Sequence, residues 1–422
     1  MFKILKGNII FKNFFSLGVL QAVNLLIPLI ITPYLLKTLG LTNFGKVTFA
    51  ASVMAFFVML SDYGFNLYLT KEVAVYREDP KQINKIFSIS IITRSVLVCI
   101  SFLLLLCCLM IPKFADDKML FISSFCIVLG QSFVPTWIFQ GMENLRPLAI
   151  INGGIKISYI AVVFFLIQQP NDYISVNILW GLNGMLCAFA SIYYLIKKYN
   201  INFSGCNSHD VISYIKNGFS FFIAGFSVNI YTFCSSAILG LFASYESVAL
   251  FGVAEKIIQI IRQPLPLFSQ VIYPAGCRKA IEGKADFFSF LKKTYLPFLI
   301  LFAVFAVLSF MASPLISSYF QAEHAEEVSD LVRIMLPAVF FIALNIPAYQ
   351  ALLSFGYNTA VSIVLSACSV CGIILNVILS STFNRSGTAI HFIITEFIIM
   401  ICLHIAVNRK MRESILKGFF KK

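Results

Sequence analysis

The chain is a succession of long apolar runs separated by short polar interruptions. About 20 mostly apolar residues, rising 1.5 Å each, cross a bilayer core of about 30 Å. Runs of that length lie at 14–36, 44–70, 86–112, 119–140, 147–168, 173–196, 218–242, 249–275, 294–319, 331–355, 359–380 and 387–407. The tightest interruptions are residues 169–172 and 356–358, and none is long enough to fold as a soluble domain. The pattern predicts an all-α polytopic membrane protein of about twelve transmembrane helices. Lys3, Lys6 and Lys12 precede the first run as they would in a secretory signal. That run is too long for a signal core and no small-x-small site follows it, so it is expected as a retained first helix.

Composition agrees with the pattern. The chain is 59% hydrophobic and 12% charged, with a mean hydropathy of +0.87, whereas soluble domains carry about 25% charged residues. The net charge of +13 would suggest nucleic acid in a soluble protein. Here it follows topology instead, and no nucleic-acid partner is implied. With the N-terminus inside, the inner segments hold 22 Lys and Arg and the outer loops 4. That bias places both termini in the cytosol. Arg278, Lys279, Lys292 and Lys293 then anchor an inner loop and meet anionic lipid. Most of the 11 cysteines, Cys99, Cys107, Cys108, Cys126 and Cys402 among them, lie inside apolar runs, and Cys206 and Cys277 lie in inner loops. With none in an outer loop, no disulfide framework is expected. Cys368 and Cys371 form a C-x-x-C within an apolar run, where packing is the better reading.

The chain repeats itself. Lys12-Asn13-Phe14-Phe15-Ser16 opens the first run, and Lys216-Asn217-Gly218-Phe219-Ser220 opens the seventh at an offset of 204. Asn24 matches Asn229, and Phe44-Gly45 matches Phe251-Gly252, at nearly the same offset. Two six-helix halves, 1–205 and 206–422, are expected as parallel repeats, with 197–210 as linker. Transporters of such build bind substrate between their repeats.

A charge at bilayer depth costs several kcal/mol, so it marks a partner or a cavity. Glu255, Lys256, Gln259, Arg262 and Gln263 fall within an arc of about 120° on the eighth helix. The stripe reads either as a buried structural pair or as a cavity lining, and the lining is the expectation. Pro264 and Pro266 should bend this helix. Asp62 and Arg94 lie at similar depth on the second and third helices and could pair or line a cavity. Lys156 and Glu396 sit near mid-span, while Lys46 and Arg333 lie near the outer ends, where they can snorkel. Six bases against three acids (Asp62, Glu255, Glu396) make the interior basic, as an anionic ligand requires. Gln21, Asn24 and Pro28 share one face of the first helix and Asn229, Thr232 and Ser236 one face of the seventh. These faces are expected to line the cavity or to bond between helices. His209, His324, His391 and His404 lack metal-site spacing, and no phosphate loop, nucleophile elbow or dinucleotide glycine pattern is present. No metal, cofactor or ATP hydrolysis is expected.

Two stretches carry a family resemblance. The first is Leu60-Ser61-Asp62-Tyr63-Gly64-Phe65-Asn66 with Thr70-Lys71-Glu72-Val73-Ala74 and Arg77-Glu78-Asp79. The second is Pro135-Thr136-Trp137-Ile138-Phe139-Gln140-Gly141-Met142-Glu143. The chain resembles, over its whole length, the O-antigen flippases of the polysaccharide-transport branch of the multidrug/oligosaccharidyl-lipid/polysaccharide (MOP) exporter superfamily. The resemblance implies a MATE-like fold. It also implies transport of an undecaprenyl-pyrophosphate-linked oligosaccharide from the cytosolic to the periplasmic leaflet of the bacterial inner membrane. Membrane lipids, and the polymerase and chain-length regulator proteins of that pathway, would be the partners. A proton or sodium ion carried by Asp62, Glu255 or Glu396, or the membrane potential itself, would supply coupling. A multidrug antiporter of the same superfamily should have an acidic interior, and a membrane polymerase or acyltransferase would need a large outer loop; neither is present.

Topology makes this testable. Reporter fusions after Lys85, Lys198 and Lys293 should report cytosol, and fusions near Asp117, Glu246 and Glu326 periplasm. A periplasmic signal at Lys293 would refute the twelve-span order.

Overall fold

The computed structural model describes residues 2–205, 207, 210–216, 218, 219, 222 and 234–411, with side chains from Ile27 onward except those of Leu67 and Pro274. Two compact units emerge, Met1–Ala237 and Ile238–Lys422. Among the described residues the structure is helical, and eight segments are long and apolar enough to cross a membrane. The expected span at 218–242 lies mostly outside the described residues.

In the first unit, α1 runs from Phe2 to Asp62 over 61 residues. One straight helix of that length would be about 90 Å long, three times a bilayer core. Gly40, at φ 75° and ψ 167°, breaks it into two helices. The expected loop at 37–43 is therefore a kink. The second expected span, 44–70, is also interrupted: Tyr63 (φ 48°) and Gly64 (φ 67°) end α1, and α2 (Phe65–Tyr76) starts afresh. Asp79 accepts from the backbone N–H groups of Lys81 and Gln82 and so caps α3 (Pro80–Cys108).

After the short α4 (Pro112–Ala115), the expected helix 119–140 is three pieces, α5 (Lys118–Ser124), α6 (Cys126–Ser132) and α7 (Thr136–Gly141). Pro135 has no N–H to give and pushes Val134 out of helical conformation, which accounts for the gap before α7. α8 (Arg146–Leu166) and α9 (Tyr173–Tyr199) complete the set. Gly181 on α9 lets α6 approach until a Cβ would collide with the Cys126 backbone, the small-residue packing typical of membrane helices. Segment 200–214 stays with this unit. Asn202 N–H donates to Asn84 Oδ1 (3.0 Å), Ser204 N–H to Ser88 Oγ (2.8 Å), and Lys85 pairs with Asp210 at 3.0 Å. Tyr214 packs on Tyr68 there, and burial raises its phenol pKa above the ordinary value.

α10 (Ser235–Phe242) spans the boundary between the units, and in the second unit α11 (Tyr245–Arg262), which Ser244 caps, follows it. The expected span 249–275 is divided: α11 stops at Arg262 and α12 (Pro264–Glu282) begins with a proline in its first turn. α13 (Lys284–Phe320) and α14 (Ala325–Ser354) follow. α15 (Asn358–Met411) joins the last two expected spans across Asn384, at φ 52°. Its two arms pack so closely at Gly387 that a Cβ would overlap the Leu379 carbonyl. Leu103, Leu301, Val307 and Leu315 are each more than half exposed, which suits lipid and not water.

Gly387→Ala should therefore cost about 1–3 kcal/mol of stability, seen as a lowered melting temperature of the detergent-solubilised protein. Gly154→Ala, with open space around the new methyl group, should not lower it. Equal melting of the two variants would refute the close approach.

Candidate substrate site in the membrane

The best-defined polar site in the first unit grows from the break between α1 and α2. Ala55, Val58, Met59 and Asp62 recur at the spacing of one helix face. Arg94 on α3 is 2% exposed and donates from Nη2 to Asp62 Oδ1 at 2.9 Å and to Asn66 Oδ1 at 3.3 Å. Its Nη1 donates to the Ser132 carbonyl, the last residue of α6. One guanidinium thus neutralises a carboxylate, orients an amide and caps a broken helix. A cavity of about 320 Å³ opens beside it, lined by Ala55, Val58, Met59, Asp62, Asn66, Gln131 and Ser132. Asp62 and Arg94, which the sequence left between pairing and cavity lining, are paired, and Asp62 also lines the cavity. Asn66 and Ser132 escaped the sequence reading because both lie beside breaks that shift helical phase.

Lys46 donates to Asp117 Oδ2 at 3.2 Å, an oxygen that also accepts from the Tyr173 hydroxyl at 2.9 Å. Arg333 lies 3.7 Å from Asp330 and over the Phe310 ring. Both expected snorkelling bases thus have protein partners. Lys156 stands 6.0 Å from the centroid of the Trp180 ring.

In the second unit, Glu255, Lys256, Gln259, Arg262 and Gln263 are all half-buried, while Ile257, Ile258 and Ile261 on the other face are buried. The stripe is real as a face of α11. Glu255, Lys256 and Gln263 engage other groups, whereas no ion pair or hydrogen bond among the described residues involves the Arg262 guanidinium. Glu396 is 3% exposed and accepts from Asn345 Nδ2 at 3.3 Å. The Asn345 pairing was not foreseen, since an uncharged amide in an apolar run gives no depth marker. His391, one turn before Glu396, is fully buried with Nδ1 facing the Thr388 carbonyl at 2.9 Å. The side chains of Gln21 and Asn24, and Asn229 and Thr232 with them, lie outside the described residues, while Ser236 is buried.

Long apolar helices with polar groups held inside them define a multi-pass membrane protein built like a transporter. Within that class, the chain belongs to the family described as polysaccharide biosynthesis protein, whose model matches residues 10–278. It is 24% identical to a protein of Escherichia coli (strain K12) named "Putative O-antigen transporter", over 92% of this chain and 94% of that one. It is 26% identical to a protein of the same name from Shigella dysenteriae, over 62% and 66%. Among solved structures it is similar to the lipid II flippase MurJ in an inward closed conformation, with a TM-score of 0.73 and 16% identity over 95% of this chain and 88% of that one. It is also similar to an inward-facing MATE-family multidrug resistance transporter of the MOP superfamily, with a TM-score of 0.67 and 13% identity over 93% and 95%. At these identities the structural likeness is one of fold.

Removing Arg94 should strand Asp62 and the Ser132 carbonyl together. Arg94→Met is expected to cost about 3–5 kcal/mol, measured as loss of folded protein in the membrane. Asp62→Asn in that background should recover part of the loss and not all, because the carbonyl stays uncapped. Full recovery would reduce Arg94 to a simple counter-ion.

Proposed function

We propose that the chain is a flippase and not an enzyme. Its cargo is an undecaprenyl-pyrophosphate-linked oligosaccharide, the O-antigen repeat unit, carried from the cytosolic to the periplasmic leaflet of the bacterial inner membrane by alternating access. Membership of the polysaccharide biosynthesis family and a fold like that of a lipid II flippase support a lipid-linked sugar. The observation that carries the reading is Arg262, a half-buried guanidinium on α11 with no ion-pair partner among the described residues. Arginine's planar donors suit a phosphate better than the point charge of lysine. Glycan and pyrophosphate cannot enter hydrocarbon unaided. An inside-negative potential favours outward movement of an anion by about 2.3 kcal/mol per charge per 100 mV.

Lys256, Gln259, Gln263 and Glu255 would complete the lining on α11; within the first unit, Lys156, Arg94, Gln21, Asn24 and Asn229 are the proposed polar lining. Asp62, Glu255 and Glu396 are the proposed ion carriers; Asp62 is held by Arg94, and Glu396 accepts from Asn345 in the interior of the second unit. Pathway polymerase and chain-length proteins are the proposed protein partners. The MATE-like fold also suits a multidrug antiporter, but a cationic drug would meet a basic interior.

Deleting the gene should leave the lipid-linked repeat unit on the cytosolic leaflet. Arg262→Ala should abolish or strongly reduce surface polysaccharide at normal membrane abundance, and Arg262→Lys should retain part of it. Lost abundance restored by Glu255→Gln would instead make Arg262 scaffold.

A further inference from the structure

The geometry points to a second site, distinct from the Arg262 stripe: the cavity at the α1–α2 and α6–α7 breaks takes one neutral sugar ring. The inference rests on the reading of the chain as a carrier of glycans and adds where a single residue of the glycan is read. Four observations carry it.

The first is size. About 320 Å³ is at the low end of the roughly 300–1,000 Å³ of ligand pockets, enough to seat one ring. The second is amphipathicity. Ala55, Val58 and Met59 form an apolar wall, and Asp62, Asn66, Gln131 and Ser132 a polar one. A pyranose has the same two characters, C–H groups on its faces and hydroxyls on its rim.

The third is charge. Arg94 neutralises Asp62 at 2.9 Å, so the pocket is net neutral. The guanidinium opposes a cation and the carboxylate opposes an anion, whereas hydroxyls, which both donate and accept, suit a mixed lining. The fourth is unspent hydrogen-bonding capacity. Ser132 is 1% exposed and its Oγ has no partner among the described residues. Asn66 accepts from Arg94 through Oδ1, which leaves its Nδ2 to donate. Breaks in membrane helices are tolerated where they are buried in protein or line a polar cavity, and two breaks meet here.

The test uses full-length protein in lipid nanodiscs. Ligand-observed NMR would follow a panel of methyl glycosides of neutral hexoses, 6-deoxyhexoses and N-acetylhexosamines, with inorganic pyrophosphate and tetraphenylphosphonium as charged probes. At least one glycoside should bind saturably. Ser132→Ala and Gln131→Ala should each weaken it several-fold, and Met59→Trp, which fills the cavity, by about tenfold or more. Melting temperature reports folding; if Met59→Trp fails to fold, the two small substitutions decide. No binding by any glycoside, binding unchanged in every folded variant, or displacement of the glycoside by either charged probe overturns the inference. Flipping of a fluorescent lipid-linked oligosaccharide in vesicles separates the two readings. Glycoside binding without flipping removes the flippase and keeps the pocket, and flipping without glycoside binding removes only the pocket.

Discussion

A backbone peptide group stripped of water must find its hydrogen bond within the protein, and in a chain this apolar that constraint governs where the helices break. At three places where helices stop or kink, a side chain meets the freed backbone or stands beside it. The Ser132 carbonyl, where α6 stops, receives the Arg94 guanidinium. The Ile167 carbonyl, where α8 stops, receives the Tyr34 hydroxyl at 2.6 Å. Beside Asn384, the hydroxyls of Ser380 and Thr388 lie 2.7 Å apart across the kink, and Thr388 also donates back to the Asn384 carbonyl at 3.3 Å. These polar side chains inside apolar runs are consequences of irregular backbone as much as signs of function.

Arg94 shows how the two roles merge. An ion pair buried for stability alone is a poor investment, since apolar residues of equal volume often do as well. This pair is different because one of its donors serves a carbonyl that no apolar side chain could satisfy. With Arg94 committed to Ser132, Asp62 and Asn66, the cavity beside it inherits oriented polar groups. They need little reordering when a ligand arrives.

The stripe on α11 was legible because it depends on one unbroken periodicity. From Glu255 to Arg262 the helix keeps phase, so residues at about 100° per step do share a face. Asp62 and Arg94 could be matched by counting inward from the adjoining ends of two expected spans. Phase fails at a break. Asn66 stands four residues after Asp62, but two left-handed residues intervene, and its place beside Arg94 follows from them. The pieces of 118–141 were hidden because Pro135 lies within a run that hydropathy alone reads as continuous. Asn345 and Glu396 meet across two long helices whose relative axial shift no local pattern records.

Charge pairing carries the last step. Of the six bases inside the expected spans, Lys46, Arg94 and Arg333 each have an acidic partner. Lys156 stands by an indole ring, and Lys256 is engaged. Arg262 has no ion pair among the described residues, on a face that is half-buried and followed directly by the proline-led start of α12. An uncompensated guanidinium at bilayer depth costs several kcal/mol. On the proposed reading, the counter-charge for Arg262 is the anionic cargo, which arrives and leaves as a structural carboxylate does not.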